Sequence, residues 1–336
     1  MRVFVTGGAG FIGSHTLVQL LRQGADVTVF DNYSNSSPEA LARVKRLAQS
    51  DLTIVEGDIC HTAALQSALH TAAPEAVIHF AGLKAVGESA EKPLSYYHTN
   101  ISGSIALLEA MDNVGCRKIV FSSSATVYDP KGQPPFTEDD ALGAVNPYGR
   151  TKQFIEEIIR DWSAANADTS AAILRYFNPV GAHASGDIGE DPVGIPNNLM
   201  PYISRVAAGR LKELQVFGGD YPTRDGTGER DYIHVEDLAS AHLAALEYTT
   251  HSTGCESFNI GTGTASSVLE MLQAFEKAAG KSIPYHITDR RAGDVATSFA
   301  DASKAKQVLG WQARHGVEEM CQSAWNWQSR NPNGYE

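Results

Sequence analysis

Tyr148 and Lys152 stand four residues apart in the run Pro147-Tyr148-Gly149-Arg150-Thr151-Lys152. A proline at the first turn starts a helix, and the i, i+4 spacing puts the phenol and the ammonium on one face. A free tyrosine has a pKa of ~10, so only about one in a thousand is phenolate at pH 7; a competent base needs a shift of roughly three units, or ~4 kcal/mol. A neighbouring cation is the kind of group that supplies such a shift. Taken alone, the pair equally fits a surface tyrosine stacked on a lysine stem. The run Ser122-Ser123-Ser124-Ala125-Thr126-Val127-Tyr128 changes that weighting. It follows an apolar strand pattern, Lys118 to Ser122, so Ser124 falls at a strand's carboxyl end, where ligands of open α/β sheets bind.

A second constellation explains what the first could act with. Gly8-Ala9-Gly10-Phe11-Ile12-Gly13 matches G-x-G-x-x-G, and Gly7 extends it across a strand-to-helix junction. Glycines there let backbone amides approach a pyrophosphate, whose charge sits at the positive end of the helix. Asp31 closes the next strand, placed to accept hydrogen bonds from both hydroxyls of an adenosine ribose. A 2′-phosphate would be repelled by this acid, and no arginine follows in Asn32-Tyr33-Ser34-Asn35, so the pattern favours NAD. Its cationic nicotinamide, with Lys152, would supply the shift that Tyr148 needs. Asp58, after the third strand, could reach the adenine edge or could simply cap a turn.

Alternating elements must position these groups. Strand patterns at Val3 to Thr6, Asp26 to Asp31, Thr53 to Gly57, Ala76 to Ala81, Lys118 to Ser122 and Ala171 to Tyr176 alternate with helical periodicity, which predicts a doubly wound parallel α/β sheet of the Rossmann type over residues 1–180. Continuous apolar runs such as Ala76-Val77-Ile78-His79-Phe80-Ala81 suit strands covered on both faces. After Pro179 a glycine-, proline- and asparagine-rich stretch, Gly181 to Asn198, reads as a functional loop. Beyond it come helices around Leu199 to Arg210, Val235 to Tyr248, Ser267 to Ala279, Ser303 to Leu309 and Val317 to Ser329, with a strand at Leu214 to Phe217. Residues 181–336 thus read as a smaller mixed α/β substrate domain, some of whose segments, around 230–263, could pack back onto the first.

The chain has 336 residues, 43% of them hydrophobic, which is enough for two packed domains and excludes disorder as the main state. With 27 basic and 39 acidic residues the net charge is −12, so no broad positive field exists for nucleic acid or anionic lipid. A few local arginines could still hold a phosphorylated ligand. Cys60, Cys116, Cys255 and Cys321 are too scattered for a zinc site or a disulfide framework, and no metal is expected. No apolar run nears the ~20 residues of a membrane span, and Met1 opens directly into a strand, so a cytoplasmic protein is expected.

The glycine turn, Ser124, Tyr148 and Lys152 resemble the extended short-chain dehydrogenase/reductase superfamily, and within it the UDP-glucose 4-epimerase family. The likeness runs almost end to end. It is carried by His79 to Ser89 (HFAGLKAVGES), Arg175 to His183 (RYFNPVGAH), Gly194 to Tyr202 (GIPNNLMPY) and Arg230 to Val235 (RDYIHV). The resemblance implies interconversion of UDP-glucose and UDP-galactose by transient oxidation at carbon 4. Tyr148 would act as base, Lys152 would hold the nicotinamide ribose and lower the tyrosine pKa, and Ser124 would bond the reacting oxygen. It further implies NAD contacts at Gly7, Gly10, Phe11, Ile12, Gly13, Asp31, Asn32, Asp58, Ile59, Phe80, Ala81, Gly82, Lys84, Asn100, Tyr148, Lys152 and Tyr176. Lys84 and Asn100 would bind cofactor phosphates and order the active-site water or helix. On the substrate side it implies Ser124, Asn178, Asn198, Leu199, Val216, Phe217, Arg230, Tyr232, Arg291 and Asp294, with the arginines on the diphosphate and Val216 and Phe217 beside uracil. A gate beside the sugar is Ser298 here, where a bulky tyrosine would exclude a 2-acetamido group, so UDP-N-acetylhexosamines could also be taken. The resemblance also implies a homodimer. Two other readings compete: a nucleotide-sugar 4,6-dehydratase, which needs acids where Ala125 and Thr126 stand, and a non-catalytic dinucleotide-binding protein.

Overall fold

The computed structural model describes residues 1–291 and 293–336. Thirteen strands follow in chain order: β1 Arg2–Thr6, β2 Asp26–Asp31, β3 Thr53–Glu56, β4 Ala76–His79, β5 Lys118–Ser122, β6 Ser170–Tyr176, β7 Asn178–Val180, β8 Leu214–Phe217, β9 Glu229–His234, β10 Gly254–Ile260, β11 Ala265–Ser267, β12 Tyr285–Thr288 and β13 Thr297–Ser298. Seven of them form a sheet in the order β10-β6-β5-β4-β1-β2-β3, parallel throughout. From β1 the chain winds outward to β3, then returns to β4 on β1's other side. That reversal opens a crevice beyond the carboxyl ends of β1 and β4, the place where such sheets bind ligands.

Alternation along each strand builds the two faces. Val3 and Val5 of β1 pack into one core with Leu17, Val29 and Leu41, while Phe4 between them joins Phe30, Leu65 and Leu107 on the other side. All three β1 residues are buried, as a parallel sheet clad by helices on both faces requires. The doubly wound expectation for the first part of the chain is borne out.

Beyond residue 180 the chain does not stay on one side. Helix Val235–His251 packs against helix Phe11–Arg22, and β10 pairs with β6 from Gly254↔Ser170 to Ile260↔Tyr176, so residues 235–260 complete the large sheet and its cover. The remaining segments gather around β9, which pairs with β7, β11 and β13, beside a parallel β8–β12 pair. Their core joins Met200, Ile203, Val216, Tyr232, Met271, Phe275 and Met320. The sequence reading missed β7, β9, β10, β11, β12 and β13. Strands of two or three residues carry no measurable period, and the charged start of β9, Glu229-Arg230-Asp231, hides an otherwise apolar strand. β10 is an edge strand with the half-polar run Gly254-Cys255-Glu256-Ser257.

Candidate active site

The glycine turn divides its work among three positions. At Gly7, φ is +70° and an added Cβ would lie 2.6 Å from the Ala81 amide nitrogen, so this glycine brings the turn against the segment after β4. At Gly13 an added Cβ would meet the Gly7 carbonyl at 2.5 Å and Gly8 Cα at 2.8 Å, so it seats the helix on the turn. Gly10 is different: its extended backbone leaves an added Cβ no neighbour nearer than 3.4 Å, so the absent side chain opens space rather than relieving a clash. The helix that begins at Phe11 has no side-chain cap and no acid in its first turn, leaving its terminus suited to an anion. This cradle fits the pyrophosphate of a dinucleotide.

Asp31 accepts the Ala9 amide at 2.9 Å, the Tyr33 amide at 2.9 Å and the Ser36 hydroxyl at 3.0 Å, so the acid is locked beside the glycine turn at the end of β2. Asp58 accepts from Asn32 Nδ2 at 2.9 Å and the Cys60 amide at 2.8 Å. Burial pushes its carboxyl up, but those two donors outweigh burial and hold it below the usual range. Asp58 thus closes its own turn through the Cys60 amide and ties Asn32 to it. Ile59 is buried against Gly103 in the core next to it. After β4, Phe80 sits against His242, and the Ala81 amide donates to Thr6 Oγ1. Asn100 is buried, accepting from the Leu83 amide and donating to the Leu83 carbonyl and to Thr151 Oγ1. Its amide thus ties the Gly82–Lys84 loop to helix Pro147–Ala165. Lys84 pairs with Glu190 at 3.2 Å, and the same Glu190 oxygen accepts from Asn198 Nδ2 at 3.3 Å. The sequence reading gave no sign of Glu190.

Helix Pro147–Ala165 starts where Asn146 caps it through the Gly149 amide, with Pro147 at its first position. Tyr148 and Lys152 are both buried on its inner face. Lys152 Nζ donates to the Ser122 carbonyl at 2.8 Å and lies 4.8 Å from the Phe121 ring, which fixes the ammonium at the end of β5. Burial lowers its pKa to about 8, with Glu156 pulling the other way. Burial also pushes the Tyr148 phenol above the ordinary tyrosine value; Tyr176 and Tyr96 add to this, and only Ser124 pulls down. In the chain alone desolvation dominates at Tyr148, while the Lys152 amine is held by the Ser122 carbonyl. Ser124 accepts from the Thr126 amide at 3.2 Å and the Thr126 hydroxyl at 3.0 Å. Its own hydroxyl hydrogen is left to donate. Tyr176, at the end of β6, completes this corner.

The expected substrate residues come together on the β9 side. On β9 Arg230 is half-buried and Tyr232 joins the core of these segments, while Asp231 between them is fully buried and accepts from Thr262, Gly263 and Ala300, tying down the Ala300 loop. Asn178 pairs in register with Tyr232, and Ser298 with Arg230. Arg230 lies 3.7 Å from Asp294, and the Arg291 guanidinium stacks 4.2 Å from the Phe217 ring, beside buried Val216. Asn198 precedes helix Leu199–Ala207 without capping it, and that helix too has no acid in its first turn. Both helix ends, at Phe11 and at Leu199, thus lack a side-chain cap and a first-turn acid, the condition that suits an anion. Among the described residues, no group of three His, Cys, Asp or Glu gathers to hold a metal, and no helix is long and apolar enough to cross a membrane.

Residues 3–261 match the model of the NAD dependent epimerase/dehydratase family. The chain is 59% identical to the UDP-glucose 4-epimerase of Bacillus subtilis (strain 168), over 100% of this chain and 99% of that protein. This chain is a member of the UDP-glucose 4-epimerase family. The structure of the family member from Bifidobacterium longum, in complex with NAD+ and UDP, superposes with a TM-score of 0.96 at 50% identity, covering 99% of this chain and 100% of that one. A UDP-Glc/GlcNAc 4-epimerase from Campylobacter jejuni superposes with a TM-score of 0.85 at 36% identity, covering 98% of this chain and 99% of that one.

Proposed function

We infer that this chain interconverts UDP-glucose and UDP-galactose, with NAD along the crevice beside β1 and β4 and the UDP-sugar along β9. The observation that carries the reading is the convergence of Tyr148, Lys152 and Ser124 at the carboxyl end of β5, between the glycine turn and the arginine-lined β9 side. The C–H bond at carbon 4 is not acidic, so inversion there requires a planar ketone. Bound NAD would supply a hydride acceptor for carbon 4 and, once reduced, the donor that restores it. Tyr148 takes the proton of the 4-hydroxyl and returns it, and Ser124 donates a hydrogen bond to the same oxygen. Because burial holds the Tyr148 phenol protonated, its function depends on positive charge beside it, which Lys152 supplies together with the bound nicotinamide.

The sugar must turn over while the nucleotide stays, so the anchoring contacts lie away from carbon 4. Arg230, Arg291, Asn198 and the Leu199 helix end hold the diphosphate, Val216 and Phe217 flank uracil, Tyr232 lies near the uridine, Asp294 accepts from its ribose, and Asn178 borders the sugar. On the cofactor side Gly7, Gly10, Phe11, Ile12 and Gly13 hold the pyrophosphate, Asp31 and Asn32 the adenosine ribose, and Asp58 and Ile59 the adenine. Phe80, Ala81, Gly82, Lys84 and Tyr176 line the nicotinamide half. Incubation with UDP-galactose and NAD should yield UDP-glucose by chromatography; a 6-deoxy-4-keto sugar or no product would overturn this reading. Ala125 and Thr126 offer no acid for eliminating water, which disfavours the dehydratase.

Ser298, small and half-buried at the edge of β9, leaves room beside the sugar for a 2-acetamido group, so UDP-N-acetylgalactosamine is turned over as well. Ser298→Tyr should abolish that activity and spare UDP-galactose; equal loss of both would count against it. Exposed Leu94, Ile105 and Phe154, on neighbouring helices of the first lobe, support a homodimer through that face. Light scattering of the purified protein should give twice the chain mass; a monomer would refute the dimer.

A further inference from the structure

Close behind the active-site groups in the chain lies a polar network, buried at its centre, that the reaction itself does not call on. Glu156, one helical turn after Lys152, is 0% exposed at its side chain, and Arg175, next to Tyr176 on β6, is 2% exposed. Arg175 grips the carboxylate with Nη2 to Oε2 at 2.7 Å and Nε to both oxygens at 3.1 Å. Ser123, next to Ser124, donates its hydroxyl to Glu156 Oε1 at 2.5 Å. Arg175 also donates through Nη1 to the Tyr128 hydroxyl at 3.2 Å and the Glu138 carbonyl at 3.1 Å, and Tyr128 passes its hydrogen to Asn259 at 2.6 Å. Arg160 lies 3.8 Å from the same carboxylate on the solvent side.

A buried ion pair contributes little net stability compared with apolar packing of the same volume, since desolvation offsets its attraction. Its value is geometric: a bidentate guanidinium and a short hydroxyl bond fix orientation as well as distance. Here one carboxylate joins helix Pro147–Ala165, the end of β5 and the end of β6, the three segments that present Lys152, Ser124 and Tyr176. With Arg175 neutralising Glu156, the network contributes position more than charge to the site in front of it.

We propose that Glu156, Arg175 and Ser123 are positioning residues that set the Ser124 hydroxyl against Tyr148 and Lys152. This inference deepens the epimerase reading and rests on it. Ser123→Ala removes one hydroxyl and leaves the ion pair intact, so the fold should be kept, with a thermal midpoint within about 4 °C of the parent, the shift expected for roughly 1 kcal/mol or less. Freed of that bond, Ser124 is less well placed. Misplacement of a reacting group by as little as about 1 Å can cost ~100-fold, and loss of one of several restraints should lower kcat about tenfold. KM for UDP-galactose should stay within about twofold, because the anchoring contacts lie on the β9 side.

The experiment measures kcat, KM and thermal midpoint of parent and variant side by side, each loaded with NAD. A fall in kcat with KM and midpoint held supports the proposal. Parent-like kcat overturns it, as does a fall in kcat matched by an equal loss of folded protein, which is what a merely structural bond would give. A parent that does not epimerise UDP-galactose overturns the epimerase reading and this inference together, so the two failures are told apart by the parent alone.

Discussion

At the scale of single residues, the account turns on a phenol that burial makes less acidic, set beside a lysine whose pKa the same burial lowers to about 8. Burial is the largest influence on both groups, and Lys152 is held in place by the Ser122 carbonyl. The site becomes basic only when further positive charge is brought in, which ties proton transfer to cofactor loading. Tyr148→Phe keeps the ring and its packing while deleting the group that holds the proton. It should lower the rate of UDP-galactose conversion by at least ~100-fold, the usual contribution of a positioned acid–base group, with NAD content unchanged. Parent-like turnover in that variant would remove Tyr148 from the chemistry. Tyr148, Lys152 and Ser124 were legible in the sequence because a helix start, an i, i+4 spacing and a strand end each leave a local mark. Glu156, Ser123 and Glu190 left none: a buried carboxylate reads as one more surface acid on a helix or loop until its partners, 19 to 33 positions away for Glu156, are brought to it by the fold.

At the scale of elements, two helices, Phe11–Arg22 and Leu199–Ala207, begin without a side-chain cap or a first-turn acid. The glycine turn shows why its residues are not interchangeable. Gly13→Ala would press a methyl group on the backbone of Gly7 and Gly8, so both folding and NAD retention should suffer. Gly10→Ala meets nothing closer than 3.4 Å within the protein, so its thermal midpoint should stay near the parent's while NAD retention falls, since the methyl group occupies the space left for the ligand. Co-purified NAD and melting curves of the two variants check this; a Gly10→Ala protein that keeps NAD like the parent would show that the space serves no ligand. The first six strands of the large sheet were readable because continuous apolar runs alternate with helical periods. The seventh, β10, was not, since its polar first half suits an exposed edge rather than a covered interior. The segments around β9 were lost for a different reason: their strands are short, and they pair with partners far away in sequence.

At the scale of the whole molecule, the two lobes are interlocked rather than strung in series. Arg43, on the helix after β2, bonds to Asn331 at 2.6 Å and lies over the packed rings of Trp327 and Tyr335, while β10 returns late in the chain to close the large sheet. Four buried histidines bind this body together in neutral form. Burial lowers His15 and His79 to about 3 and His234 and His242 to about 4, whereas the unfolded chain titrates them near 6.5. Between those values the unfolded state binds more protons, so stability rises with pH across this window and is lost as pH falls from 6.5 toward 4. Each group contributes up to about 1.4 kcal/mol per pH unit there. Melting curves should therefore drop steeply from pH 6.5 to pH 4.5; flat midpoints would show that these histidines are not held neutral. The central claim, that carbon 4 loses and regains its own hydrogen inside a closed site while Tyr148 handles only the proton on oxygen, is tested most directly with UDP-galactose carrying deuterium at carbon 4. The account predicts UDP-glucose with the deuterium still at carbon 4, and deuterium washed out into solvent water would contradict it.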